Sequence, residues 1–144
     1  MKYLSVVLFL SLFGCSSFKD ISNSRPLPLN LRLDSVMLKG SAFLCEDTLG
    51  FFKPEINAEL SLNYGSEKCQ GSQHLLSIPN NASVDLVKLV THTGYGLFIV
   101  KRWYVIGRYT HNESQYDFVY LLPWIQDLNG QFIAYDELPW VTDL

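Results

Sequence analysis

Leu97-Phe98-Ile99-Val100-Lys101-Arg102-Trp103-Tyr104-Val105-Ile106-Gly107-Arg108-Tyr109 is the stretch that decides the fold. β-Branched and aromatic residues fall on both parities of this run: Phe98, Val100, Tyr104 and Ile106 on one, Leu97, Ile99, Trp103, Val105 and Tyr109 on the other. Such a stretch reads as a long strand whose two faces are both covered over part of its length. Gly107, with no side chain to pack, marks a bulge or a sharp bend near its end.

Working outward, His111-Asn112-Glu113-Ser114 reads as a polar hairpin loop. Beyond it Tyr116, Phe118, Tyr120 and Leu122 alternate with Gln115, Asp117, Val119 and Leu121 as far as Pro123. Asp127-Leu128-Asn129-Gly130 is a further turn, followed by a strand over Gln131 to Tyr135. The tail from Asp136 to Val141 is read as one helical turn or a last short strand.

In the other direction, Thr93-Gly94-Tyr95-Gly96 supplies a turn after a strand over Val84 to His92, with Val84, Leu86 and Val90 sharing a face with Lys88. Earlier still, Gln73 to Ile78 is a strand that ends at Pro79-Asn80-Asn81. Ile56, Ala58, Leu60, Leu62 and Tyr64 alternate with Asn57, Glu59, Ser61 and Asn63, and this run is read as a strand. A helix opening at Pro54-Glu55 is the competing reading. About six short strands separated by regular turns predict a mainly β chain. The expected form is a small antiparallel barrel or sandwich, with at most one short helix. Ile78-Pro79-Asn80-Asn81-Ala82-Ser83-Val84 and the alternation up to Val90 resemble the opening of a bacterial SH3-like barrel. That resemblance implies a peptide-, glycan- or protein-binding module.

The N-terminus is of a different kind. Lys2 precedes the run Tyr3-Leu4-Ser5-Val6-Val7-Leu8-Phe9-Leu10-Ser11-Leu12-Phe13, and Gly14 joins this to Cys15. The run is shorter than the roughly 20 residues that a membrane-crossing helix needs, so a signal peptide is expected over an anchor helix. Leu12-Phe13-Gly14-Cys15 resembles the lipobox of bacterial lipoproteins. The resemblance implies cleavage before Cys15 and acylation of its sulfur and new amino group. With Ser16 next in line, it also implies an outer-membrane address facing the periplasm. The plain alternatives are a conventional signal peptide with an incidental Cys, or a buried apolar strand. The chain then divides into a leader over 1–14, a lipidated Cys15 with a flexible tether to residue 30, and one β-rich domain over 31–144. The tether reading rests on Ser16, Ser17, Ser22, Asn23, Ser24, Pro26 and Pro28, which offer little to a core.

With Cys15 lipidated, Cys45 and Cys69 are the two thiols left, and in an oxidising compartment they are expected to pair. Closing a loop of about 25 residues stabilises a fold by roughly 3.5 kcal/mol in the chain-entropy picture. Two separate buried thiols are the alternative, and a redox or metal pair is the less favoured one.

The chain has 144 residues with 14 acidic and 11 basic side chains. The net charge of −3 becomes −4 once Lys2 leaves with the leader, and the basic residues form no block. Nucleic acid is therefore not an expected partner. Expected partners are the membrane, through the lipid, and a protein, peptide or glycan of the envelope.

The sequence offers no recognised catalytic motif. His74, His92 and His111 lack metal-ligand spacing, no phosphate loop or nucleophile elbow occurs, and no cofactor is implied. The pairs Glu46-Asp47 and Asp136-Glu137 are read as solvated carboxylates in preference to an acid–base pair. Asn81-Ala82-Ser83 and Asn112-Glu113-Ser114 match the glycosylation sequon and are read only as exposed loops. The aromatic hairpin carries two readings. Its rings fill the core, or Lys101, Trp103, Tyr109 and Asp117 form an exposed binding patch. An envelope binding or scaffold module is the first expectation for function. An immunity or inhibitor protein against a toxin or hydrolase is the second, and an envelope hydrolase the third.

Overall fold

The structure is a computed structural model, and it describes residues 16–46, 60–64, 69, 74–94 and 100–141. The leader, Cys15, Asp47, the Pro54-Glu55 start of the competing helix, the Ile56 to Glu59 part of the expected strand, the Tyr95-Gly96 turn and Leu97 to Ile99 lie outside the described residues.

The chain is mainly β. Its elements are β1 (Ser16–Asp20), a 3-10 turn (Pro28–Asn30), β2 (Ser35–Met37), β3 (Ala42–Glu46), β4 (Leu60–Tyr64) and β5 (His74–Ile78). The longest strands follow, β6 (Ser83–Gly94) and β7 (Val100–His111), then β8 (Ser114–Leu121), β9 (Trp124–Gln126) and β10 (Phe132–Ala134). One sheet runs β1-β6-β7-β8-β4-β3-β5, with β2 also on β6, and β9 and β10 form a separate hairpin. The sheet is mixed, because β4 and β8 run parallel.

β5 ends this path and β6 stands second from its other end, although the two strands are consecutive in the chain. Laid flat, strands about 4.8 Å apart would leave β6 and β5 roughly 24 Å from one another. Yet they are joined only by Pro79 to Ala82, a tight turn in which the Ala82 N–H donates to the Pro79 carbonyl at 3.3 Å. The sheet must therefore curl around its core. It does not close into a barrel: among the described residues β5 pairs with β3, while the outer edge of β6 is taken by β1 and β2.

Alternation places one face of each strand inside that curl. Ala42, Leu44, Leu60, Leu62, Ile78, Val84, Leu86, Leu89, Trp103, Val105, Tyr109 and Phe118 form one core, completed by Leu27, Leu31 and Leu38 before the body of the sheet and by Leu122, Trp124 and Trp140 after it. A smaller cluster of Val90, Tyr104, Ile106 and Val119 lies on the opposite face, with Phe18 of β1 packed against it. Both faces of β7 are thus covered from Trp103 to Gly107, as its two-parity composition predicts.

Three local expectations are corrected. The bulge is not at Gly107 but opposite it on β6, where Val87 is the extra residue between Leu86 and Lys88. One added residue reverses the parity of all that follows. Leu89 therefore joins Val84 and Leu86 in the main core, and Val90 turns to the other face. Gly107 answers a different need: a Cβ there would lie 2.3 Å from Cζ of Phe118, its cross-strand partner.

The second correction concerns residues 16–30, expected as a flexible tether. Ser16–Asp20 is a strand on the outer edge of β6, pairing Ser16 with Gly94 and Asp20 with Val90. Leu27 is buried in the core. A polar strand needs no alternation of its own when a long neighbour offers an unpaired edge, because the ladder satisfies its backbone groups. The third concerns the tail, which is neither a helical turn nor a full strand. Trp140 makes an isolated bridge to Leu38, and the Lys39 and Val141 N–H groups bond across the same seam.

Candidate functional site

Cys45 and Cys69 form a disulfide with their Cα atoms 5.7 Å apart. It ties β3 to the segment between β4 and β5. Cys15, the third cysteine of the sequence, lies outside the described residues.

The expected binding patch is not brought together at the surface. Trp103 is only 2% exposed and Tyr109 only 7%, both in the main core. Both point inward because the core face of β7 is the odd parity, which packs in one cluster with Phe118 of β8 and Leu122 just beyond it. Asp117 accepts from Nε of Arg108 at 2.7 Å across the β7–β8 ladder, and this pair holds the guanidinium above its ordinary pKa. Lys101 remains exposed, its Nζ 5.6 Å from the centre of the Trp103 ring. Of the four residues, then, two build the core, one is engaged in an ion pair, and one is a surface cation.

What the surface does present is apolar and lies elsewhere. The β9–β10 hairpin pairs Ile125 with Ile133 and is flanked by the pairs Trp124 with Ala134 and Gln126 with Phe132. Of the even parity, Trp124 and Phe132 turn to the core, while Gln126 and Ala134 are exposed. Phe132 meets the Trp103 ring edge-on at 5.0 Å and Trp124 at 6.2 Å. The odd parity faces out, leaving Ile125 49% and Ile133 45% exposed as a cross-strand pair.

Leu128 stands fully exposed at the tip. Its turn is well held: the Gly130 N–H donates to the Asp127 carbonyl at 3.0 Å, and Gly130 takes the left-handed φ of 81° that this position requires. Asp127 Oδ1 accepts from the backbone N–H of Asn129 at 2.9 Å and of Gln131 at 2.8 Å. Gln126 Nε2 closes the turn by donating to the Gly130 carbonyl at 2.8 Å. These bonds fix the turn and so hold Leu128 in water beside the exposed Ile125 and Ile133 hairpin, which makes it a candidate contact residue.

The hairpin's place in the fold follows from hydrogen bonds. The Leu122 N–H donates to the Trp103 carbonyl at 2.9 Å, so the chain leaves β8 near the start of β7. Phe132 then packs on Trp103, so β9–β10 covers the end of the sheet where β7 begins. β10 also runs beside the 3-10 turn, where Leu29 is exposed with a left-handed φ of 51°. β1 begins at the same end, since Ser16 pairs with Gly94 and Gly94 with Val100.

The chain leaving β1 is pinned. Ser22 donates its hydroxyl and its N–H to Asp20 Oδ1, and its Oγ accepts from the Leu89 N–H at 3.0 Å. The Ser22 hydroxyl first, then its backbone N–H, holds the Asp20 carboxyl below the usual carboxylate range.

Concave sites are poor. A groove of about 60 Å³ beside the 3-10 turn, lined by Leu31, Val36, Leu138 and Trp140, has room for little more than water. A larger hollow of about 630 Å³ is walled by the single segment from Arg25 to Asp34, so no groups converge on it from separate elements. Among the described residues no three His, Cys, Asp or Glu side chains gather as a metal site. His92 stacks near Phe18 at 4.5 Å at one end of the β6–β7 pair, whereas His111 sits at the other end beside Tyr109. Glu137 is exposed and reaches Lys39 at 4.0 Å.

The sequence reading found the turn at Asp127 to Gly130 but missed β9 and its outward face. The available signal was Ile125 and Ile133 placed symmetrically about that turn. Comparison with protein-family models, with curated proteins and with solved structures found no match.

Proposed function

We propose that this chain is a lipid-anchored binding or scaffold module of the bacterial cell envelope, acting through surface contact. One observation carries the reading: Cys45 and Cys69 pair with each other, and the remaining cysteine is Cys15, placed directly after an apolar run that resembles a lipobox. A disulfide fits an oxidising compartment such as the periplasm. The contact surface of the module is the apolar rim around β9–β10, in place of the aromatic residues of β7. On this reading Cys15 carries the acyl chains, and burial of about 0.8 kcal/mol per methylene holds the protein on a bilayer, by the lipobox rule the outer membrane.

Mass measurement of the mature N-terminus, with membrane fractionation of the wild type beside Cys15→Ser, tests the anchor. The expected result is an acylated Cys15 at the N-terminus and release of the Cys15→Ser protein from the membrane fraction. A mature chain that begins elsewhere without acyl mass overturns it. Cross-linking in intact cells, followed by purification of the anchored protein, then tests the module for a protein or glycan bound to it.

A further inference from the structure

Residue 16 leaves no slack. Ser16 is already paired with Gly94 on the sheet, and consecutive Cα atoms are about 3.8 Å apart. If Cys15 is acylated, as the proposed function holds, its lipid enters the bilayer within one residue of the folded domain. No spacer lifts that domain away, because β1 and the Asp20–Ser22–Leu89 bonds fasten the chain to β6 from its first described residue.

The end of the domain that this brings to the membrane has a suitable surface. Val100, Lys101 and Arg102 open β7 there and are exposed. The outer face of β9–β10 covers the same end, with Ile125 and Ile133 side by side and Leu128 at the tip. Cations attract anionic headgroups by roughly 1 kcal/mol each, and exposed aliphatic side chains gain by entering the boundary between headgroups and acyl chains. The headgroup layer of one leaflet is only about 5–8 Å thick, so an anchor one residue before Ser16 holds this end of the domain against it.

We infer that this end of the domain lies flat on the bilayer, with Lys101 and Arg102 at the headgroups and Leu128 of the β9–β10 turn inserted at the acyl boundary. The partner of the apolar hairpin is thus the lipid surface to which the same chain is anchored. The opposite end, carrying the β7–β8 turn at Asn112 and Glu113, points away into the periplasm.

The test uses the full lipidated protein reconstituted in vesicles of phosphatidylethanolamine and phosphatidylglycerol, with and without bromine on the acyl chains. Leu128→Trp adds a reporter at the turn, and Gln115→Trp adds the same ring at the far end of β7–β8. The three native tryptophans are buried and give a common background. The expected result is a blue shift and bromolipid quenching for Leu128→Trp, with neither for Gln115→Trp. Emission from Leu128→Trp that stays unshifted and unquenched in protein that floats with the vesicles overturns the inference and leaves the anchor standing. A shift that appears only when soluble envelope proteins are added overturns it in favour of a protein partner. A Cys15 without acyl mass, read beforehand by mass measurement, refutes the anchor itself and takes this inference with it.

Discussion

β7 and the β9–β10 hairpin are both rich in bulky apolar residues, and they end in opposite environments. In β7, Trp103, Tyr104 and Val105 are all buried, whereas Ile125 and Ile133 of the hairpin are each about half exposed. β7 has a neighbour on each edge and a cluster on each face. The hairpin has one face on the core and nothing of the described chain over the other. Composition is therefore a poor guide to a binding surface. What decides is whether another element is laid across the face.

The comparison breaks most visibly at Trp103, because both regions depend on it. A two-stranded hairpin is marginal in water by itself, so β9–β10 exists by docking Phe132 and Trp124 onto the core. Trp103→Ala is expected to cost about 3–5 kcal/mol in denaturant unfolding, through lost burial and the cavity left behind. If the protein instead unfolds at the wild-type midpoint and loses binding, Trp103 belongs to an exposed site and the contrast with the hairpin disappears.

Gly107 sharpens the same contrast from within β7. Its missing Cβ is the space occupied by the Phe118 ring, so the interior of this strand pair is filled to contact. Gly107→Ala forces that ring to move and is expected to cost about 1–3 kcal/mol, with part recovered in Gly107→Ala/Phe118→Leu. Additive losses in the double variant would mean that the ring and the glycine do not share this space.

The legible part of the fold was the part where each residue's own alternation decides its place. β7, β8 and the turn between them can be read directly. Asn112 and Glu113 take the left-handed φ values of 47° and 67° that a tight hairpin turn demands, and the polar loop was visible from their sequence. β1, β2 and β3 were not legible for different reasons. β1 is polar and borrows its order from the unpaired edge of β6. β2 is three residues long, and in β3 the apolar run Ala42 to Cys45 is too short and too continuous to show an alternation. The parity change after Leu86 was hidden as well, since a bulge leaves no mark in an apolar pattern that continues through it.

The candidate site shows the same limit. Alternation tells which residues share a face but not which face is covered. That Trp103 and Tyr109 lie on one side of β7 was readable; that this side is the core depended on Leu27, Leu31 and Trp140 arriving from distant parts of the chain. The pairing of Cys45 with Cys69 was readable because an expected oxidising compartment and the small number of cysteines restrict the choice, with no geometry needed.

The smallest effect separates the two faces of the hairpin itself. Ile133→Thr keeps the β-branched side chain that the strand favours and removes only apolar surface that is already half in water. Its cost in unfolding is expected to stay within about 0.5 kcal/mol, whereas the adjacent Phe132→Ala, losing its contacts to Trp103 and Trp124, should cost several times more. Equal costs for the two would mean that the outer face of β9–β10 is packed as its inner face is. The apolar surface there would then be structural and have no need of a partner. A large difference leaves Ile125, Leu128 and Ile133 as side chains that the fold holds in place without using, as the proposed contact with a lipid surface requires.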